Sequence, residues 1–395
     1  MESFKGNYIW EKASWPKFNW NQVPVATITE QVLFKQGLLL GRMKGMGADV
    51  HAAGTLESLE NEIIASSAIE GEHLCSFDVR SSVARKLGLN NVILSGLGQD
   101  QLDAAPDKGR DPSVVEVHID AVQNSNAPLT EKRLFDWHRM IFPESISYGF
   151  RINAGCYRTD RKGRMQVVSG PIGKETVHYL APPASIVPFL MDGFIKWFNQ
   201  DARSQGLNAI LKSAITHLYF VSIHPFEDGN GRISRALADM ALSKWSGCSV
   251  NDHLFSMSSQ LLKERKEYYA QLEKAQISED DDIDITSWLL WYIECMGSAI
   301  DSVLDELDSV ECRRLFWREV NQLGISSRQR KVLGLLIANE LEGKLSSSKW
   351  AKICKCSQDT AARDISELVS QGILAKSESG GRSTAYFLVH KKLKA

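Results

Sequence analysis

Twelve consecutive residues, His224 to Arg235, limit what this chain can fold into more than any other stretch: HPFEDGNGRISR. The run before it, NAILKSAITHLYFVSI, repeats apolar residues at helical spacing through Ile210, Ala214, Leu218 and Val221, so it predicts a helix ending at His224. Pro225 and the two glycines stop that helix, and a second apolar repeat (Ile233, Ala236, Leu237, Met240) opens at Arg232. A glycine-rich turn feeding a helix start leaves backbone N–H groups free to bind an anion. Arg232 and Arg235, three positions apart, share a helical face and can fork onto one phosphate chain. Asp228 offers a hard oxygen ligand where a phosphate-bound Mg²⁺ would meet it, and His224 is the neutral-pH base of the turn. The bland alternative is a charged helical corner around a buried histidine. Phosphate binding, a metal ligand and a base within twelve positions weigh against it.

A second segment bears on the first. Residues 55–70, TLESLENEIIASSAIE, predict a helix capped by Thr55, with Leu56, Leu59 and Ile63 as its apolar stripe and Gly71 at its end. Ile63, Ser66, Ser67 and Glu70 fall on one face. A carboxylate at a helix C-terminus is mildly unfavourable, so Glu70 calls for a compensating partner.

The stretch 224–235 resembles the signature of the Fic family, H-x-F-x-[D/E]-G-N-G-R-x-x-R, and matches it at His224, Phe226, Asp228, Gly229, Asn230, Gly231, Arg232 and Arg235. SSAIEG resembles that family's inhibitory-helix motif, [S/T]-x-x-x-E-[G/N], through Ser66, Glu70 and Gly71. The resemblance covers residues 55–300 well, the N-terminal arm loosely and the tail not at all. It implies a mainly α fold, an all-helical core with a small β-hairpin flap, and an autoinhibited protein adenylyltransferase using ATP and Mg²⁺. In that reading His224 is the general base and Asp228 holds Mg²⁺. Asn230 and the amides of Gly229 and Gly231 cradle phosphates, and Arg232 and Arg235 clamp the outer ones. Glu70 competes for Arg235. The acceptor is a Ser, Thr or Tyr hydroxyl on a target protein or on the chain itself. Related signatures also support transfer of UMP, phosphocholine or phosphate, and the same site could instead remove AMP from a modified protein.

Residues 157–183 change texture: MQVVSG and TVHYL read as two short strands, the one convincing hairpin before the tail. The resemblance makes it a flap that adds a strand to the target, with Val168, Ser169, Gly170 and His178 as its working residues. SMSSQLLKERKEYYAQLEKA reads as one helix burying Leu261, Leu262, Tyr269 and Leu272; by resemblance it borders the adenine pocket, with Leu261 and Tyr269 there. His138 reads as a core residue.

At 395 residues the chain exceeds one ordinary domain. We expect an N-terminal helical extension (1–52), a Fic catalytic domain (53–310) with inhibitory helix 55–71 and flap 157–183, and a separate tail (326–395). The tail carries 13 Lys+Arg against 6 Asp+Glu, a balance of +7, whereas the rest carries 33 against 42, a balance of −9. Its order of helices, a Ser357-capped helix and two strand-like pieces around Gly380-Gly381-Arg382 predicts a winged helix-turn-helix. Gln358, Thr360, Arg363 and Arg382 would face a DNA duplex, although winged helices also serve as protein–protein modules. This supports a further alternative, a DNA-binding regulator with the Fic part as a sensor. No apolar run reaches membrane-spanning length and MESFKGNYIW is no signal peptide, so no membrane partner is expected. Seven scattered cysteines suit a reducing cytoplasm, and the Cys354-x-Cys356 pair lacks the second pair that a zinc site needs. A homodimer that controls Glu70 stays open.

Overall fold

The computed structural model describes residues 8–89, 113–147, 149–161, 163–170, 174, 176–246, 252–337, 341, 343–377 and 384–389. The chain divides into two compact units, Met1–Val303 and Leu304–Ala395. The Gly380-Gly381-Arg382 turn expected between the two strand-like pieces of the tail lies outside the described residues.

In the first unit, β1 (Phe18–Asn19) precedes helix α1 (Gln22–Gly45), which starts where the Asn21 side chain accepts from the Val23 N–H. Helix α2 (Ala48–Ile69) begins seven residues before the predicted cap at Thr55, after Gly47. Thr55 is interior instead, its hydroxyl donating to the His51 carbonyl one turn back. The difference has a local cause: His51-Ala-Ala-Gly54 shows no apolar stripe that would mark the helix in sequence. Helix α3 (Ser76–Leu87) and α4 (Ser113–Gln123) pack Val79, Val83, Val115 and Ile119 against Leu56, Leu59 and Ile63 of α2. Thr130 caps α5 (Glu131–Ile141) by accepting from the Arg133 N–H.

Two ladders follow. β2 (Ile146–Ser147) and β3 (Phe150–Arg151) form an antiparallel pair, so the flap is not the sole hairpin before the tail. Strands of two residues are too short to show alternation in sequence. β4 (Gln166–Ser169) and β5 (Thr176–Leu180) make the predicted hairpin, with a register irregularity between Val167 and Val168.

Helices α6 (Val187–Asn199), α7 (Ala209–Ile223) and α8 (Asn230–Ser246) build the centre of the unit. Every residue of α7 is buried, which accounts for its apolar character on all sides. Its Phe220 and Ile223 share a core with Trp137, Phe194, Phe198, Phe226, Ile233, Leu237 and Met240. The helix expected across 256–275 is two: α9 (Met257–Lys263) and α10 (Arg265–Ala275), broken at Glu264. The break resets the helical phase, so Tyr268 is buried and Tyr269, expected inside, is exposed. β6 (Ile283–Asp284) pairs in parallel with β1. Asp284 accepts from the Thr286 N–H at the start of α11 (Thr286–Asn321), a helix that runs past the unit division at Val303.

In the second unit, the end of α11 supplies Phe316 and Val320 to a core completed by α12 (Ser327–Ile337), α13 (Ser347–Cys354) and α14 (Gln358–Ser370). Trp350 sits at 0% exposure in it. β7 (Leu374–Lys376) and β8 (Tyr386–Leu388) follow as an antiparallel ladder. Ser357 caps α14 by accepting from the Thr360 N–H.

Candidate active site

The loop between α7 and α8 is held from several sides. His224 closes α7 in a left-handed conformation (φ 51°), its N–H still bonded to the Phe220 carbonyl at 3.1 Å. Its Nδ1 lies 3.2 Å from the Val221 carbonyl. A carbonyl only accepts, so in the neutral ring the proton sits on Nδ1 and Nε2 keeps its lone pair. Burial pushes the imidazole down to about 4, so the ring is neutral at pH 7. Phe226 is buried at 0% and stacks on His138, centroids 4.2 Å apart. Asn230 closes the turn on both sides of Phe226: Oδ1 accepts from its N–H at 3.0 Å and Nδ2 donates to its carbonyl at 2.9 Å. The Asn230 side chain is thereby engaged, and its backbone N–H is what remains for an anion. Gly229 takes φ 79°, and a Cβ there would press on the Phe142 ring.

Sequence reasoning missed three braces of this loop. Arg158, 3% exposed, donates through Nε to the His224 carbonyl at 2.7 Å and through Nη2 to the Pro182 carbonyl at 2.6 Å. Its backbone N–H donates to the Pro225 carbonyl. His138 accepts at Nδ1 from the Gly155 N–H (2.8 Å), which places its proton on Nε2, the donor to the Asp228 carbonyl (3.0 Å). It is a core histidine, as expected, and also an anchor. Ser147 donates to Asp228 Oδ2. The partners are mostly backbone atoms, which leave no mark in sequence.

Both arginines of α8 are buried beside the end of α2. Arg235 donates through Nη2 to Glu70 Oε1 at 2.8 Å and to the Ser66 carbonyl at 2.8 Å, and through Nε to Ser66 Oγ at 2.9 Å. Burial alone would lower its pKa; the Glu70 carboxylate more than offsets this and holds the guanidinium firmly charged. Arg232 donates to Glu72 Oε2 at 2.7 Å and lies 4.8 Å from the Phe142 ring centroid. Gly231 is required by close approach, because a Cβ on it would overlap Glu70 Oε1. Gly71, at φ 83°, turns the chain between the two carboxylates. Arg235 Nη1 and Arg232 Nε are buried with no hydrogen-bond partner among the described residues. Buried cationic donors left over in this way suit a polyanion with several oxygens. Asp228 Oδ1 accepts from the Gly229 N–H, and each carboxylate oxygen retains a further lone pair. One carboxylate with hard oxygens fits Mg²⁺, which is usually held by one or two carboxylates plus substrate phosphates.

At the flap, His178 bridges Ser169 Oγ (2.5 Å) and Glu273 Oε2 of α10 (2.9 Å). Val168 is 47% exposed, Gly170 turns at φ 100°, and β4 has no partner on its outer edge among the described residues. Ser169 and Tyr269 line one concavity of about 740 Å³ with Lys263, Glu264, Arg265, Lys266 and Glu267. The Tyr269 hydroxyl donates to the Ile69 carbonyl at 3.4 Å, and Arg265 lies over its ring at 5.6 Å. Leu261 is 0% exposed and packs in the interior, outside that concavity. In the second unit Gln358 and Arg363 are exposed on α14 and Thr360 is half-buried, while Arg382 lies outside the described residues.

Residues 128–242, which span the loop and both flanking helices, match the model of the Fic/DOC family. The chain carries a Fic domain. Residues 8–89 match a second model, described as a domain of unknown function (DUF4172), so the segment bearing Glu70 belongs to that neighbouring stretch. Among curated relatives, a probable protein adenylyltransferase of Aquifex aeolicus is 27% identical over 204 residues, 49% of this chain and 55% of that protein. A protein adenylyltransferase Fic of Culex quinquefasciatus is 26% identical over 230 residues, 57% of this chain and 41% of its own length. The chain thus spans about half, or less, of the curated relatives it matches. Among solved structures, a Fic family protein of Desulfovibrio desulfuricans aligns at TM-score 0.47 and 18% identity, over 92% of this chain and 96% of that one. Among the described residues no helix is long and apolar enough to cross a membrane.

Proposed function

We propose that the protein is an autoinhibited adenylyltransferase that moves AMP from ATP to a Ser, Thr or Tyr hydroxyl of a protein, its own chain included. The observation that carries this reading is His224, whose bond to Val221 leaves Nε2 unprotonated in a loop that leads directly to two buried arginines with spare donors. The names of the relatives point to the same class of transfer.

In this reading His224 Nε2 takes the proton of the incoming hydroxyl as its oxygen bonds to the α-phosphorus. The bond from that phosphorus to the bridging oxygen breaks, and pyrophosphate leaves with the electron pair. The turn amides at Gly229–Gly231 and the start of α8 receive phosphate oxygens, and Arg232 and Arg235 take the outer phosphates. Asp228 would hold Mg²⁺, which when bound neutralises charge building on the leaving group. Glu70 occupies Arg235, so a γ-phosphate arriving there meets a carboxylate and ATP settles unproductively. The free outer edge of β4 suits a target segment added as a strand, and backbone recognition of that kind tolerates varied sequence. The six free cysteines among the described residues favour a cytoplasmic setting. The second unit, three helices and a two-stranded ladder, is read as a winged helix whose Gln358, Thr360, Arg363 and Arg382 approach a DNA duplex.

The test uses the full chain and its Glu70→Gly variant with ATP labelled at either the α- or the γ-phosphate. Label entering protein from the α position alone is expected. Label from the γ position, or from neither, would overturn the reading.

A further inference from the structure

Three buried side chains of metal-ligand type meet where α2, α4 and α8 pack together. Glu62, His118 and Asp239 bring their ligand atoms within 4.8 Å of one another, at 1%, 1% and 6% exposure. Two carboxylates this close have lost water and repel each other, so the cluster calls for positive charge. Neither ring nitrogen of His118 has an ordinary hydrogen-bond partner among the described residues, and neither has Asp239 Oδ2. His118 Nδ1 lies 3.9 Å and His253 Nε2 3.8 Å from Asp239 Oδ2, beyond hydrogen-bond reach. Donors at ~2.0–2.1 Å around a tetrahedral ion sit about 3.4 Å from each other. The two separations from Asp239 Oδ2 must therefore close by roughly half an ångström and the remaining ones, up to 4.8 Å within the triad, by more, with His253 swinging in as the fourth donor.

The surroundings hold the ligands in place. Glu62 accepts from the Ser258 N–H at 2.8 Å, from Ser256 Oγ at 2.9 Å and from Ser258 Oγ. That fills three of about four acceptor positions on the carboxylate and leaves one. His253 Nδ1 lies 3.1 Å from Ser58 Oγ, which leaves Nε2 as the nitrogen on the Asp239 side. Hydrogen-bonded ligands of this kind are how proteins orient metal donors.

We propose that Glu62, His118 and Asp239, with His253 as fourth donor, bind a divalent transition-metal cation of the zinc class. Two imidazoles and two carboxylates suit such an ion, whereas Ca²⁺ would demand six or more oxygens. The site has a place in the larger design. Glu62 lies eight residues, about two turns, before Glu70 on α2, and Asp239 lies four residues, about one turn, beyond Arg235 on α8. One ion would therefore fasten together the two helices whose ends form the Glu70–Arg235 pair. That consequence rests on the proposed autoinhibition; the binding itself does not.

The experiment is to strip the full chain with chelator, add Zn²⁺, remove excess by gel filtration and measure retained metal and thermal midpoint. One Zn²⁺ per chain with a raised midpoint is expected. His118→Gln and Asp239→Asn should weaken binding by about tenfold or more, while His73→Gln, at an exposed position, should not. No retained zinc in the wild-type chain, or unchanged binding in both cluster variants, overturns the proposal. Should those variants fail to fold, Co²⁺ bound to the wild-type chain decides: visible absorption of a tetrahedral nitrogen–oxygen site supports it, and its absence overturns it.

Discussion

The loop 224–231 and the flap β4–β5 are built in opposite ways. The loop is tied at nearly every residue: Arg158 holds the His224 carbonyl, His138 and Ser147 hold Asp228, and Asn230 closes on Phe226. The flap is a two-stranded ladder with an open edge and exposed Val168, joined to α10 through His178 and Glu273. A reacting phosphorus tolerates little misplacement, so the residues proposed for chemistry need rigid support. A surface proposed to take varied proteins gains from leaving backbone groups unpaired.

Substitutions can break that contrast. In a Glu70→Gly background, His224→Ala should abolish label transfer, a loss of about 10³-fold or more in initial rate, because the loop's remaining bases, Glu227 and Asp228, are engaged by Asn153 and by Ser147 and Gly229. Arg158→Ala touches no reacting atom, yet it should slow transfer by about 10²-fold through loosening of the loop; an unchanged rate would show that the bracing is dispensable. The two carboxylates beside Gly71 sharpen the point. Glu72 pairs with Arg232 from a half-exposed position, so Glu72→Ala should change the rate by less than about fivefold. At the flap, Val168→Ala should alter transfer to another protein by less than about fivefold, since the side chain contributes less than the strand edge.

Acidity probes the same rigidity. With His224 pushed down to about 4, the acid limb of kcat/KM should fall near pH 4 rather than near 6.5. His138 and His217, fully buried, are likewise lowered by burial, to about 4 and about 3. Between pH 6.5 and those values the unfolded chain binds protons that the folded chain refuses. Stability should therefore rise with pH across that window and be lost as pH falls through it, which thermal midpoints against pH would record.

Much of this was legible in the sequence where local rules act alone. The helices on either side of His224 follow from apolar spacing, and the cap at Ser357 from side-chain chemistry. The unfavourable position of Glu70 announced a partner, which is Arg235, 165 residues away. What escaped depends on contacts without a sequence signal. Arg158 and His138 bond to carbonyls, the break at Glu264 moves Tyr268 inward in place of Tyr269, and α2 starts early across a stretch with no apolar stripe.

The claim on which the account turns is that the Glu70–Arg235 pair holds the site inactive, and its most direct test is the ratio of self-labelling rates from α-labelled ATP in Glu70→Gly and wild-type chains. Removing the Glu70 carboxylate frees the buried Arg235 guanidinium for an outer phosphate, and one such charge-stabilising donor is worth about 10²-fold in rate, so a ratio of about 10² or above is expected. Equal rates in the two chains would contradict it.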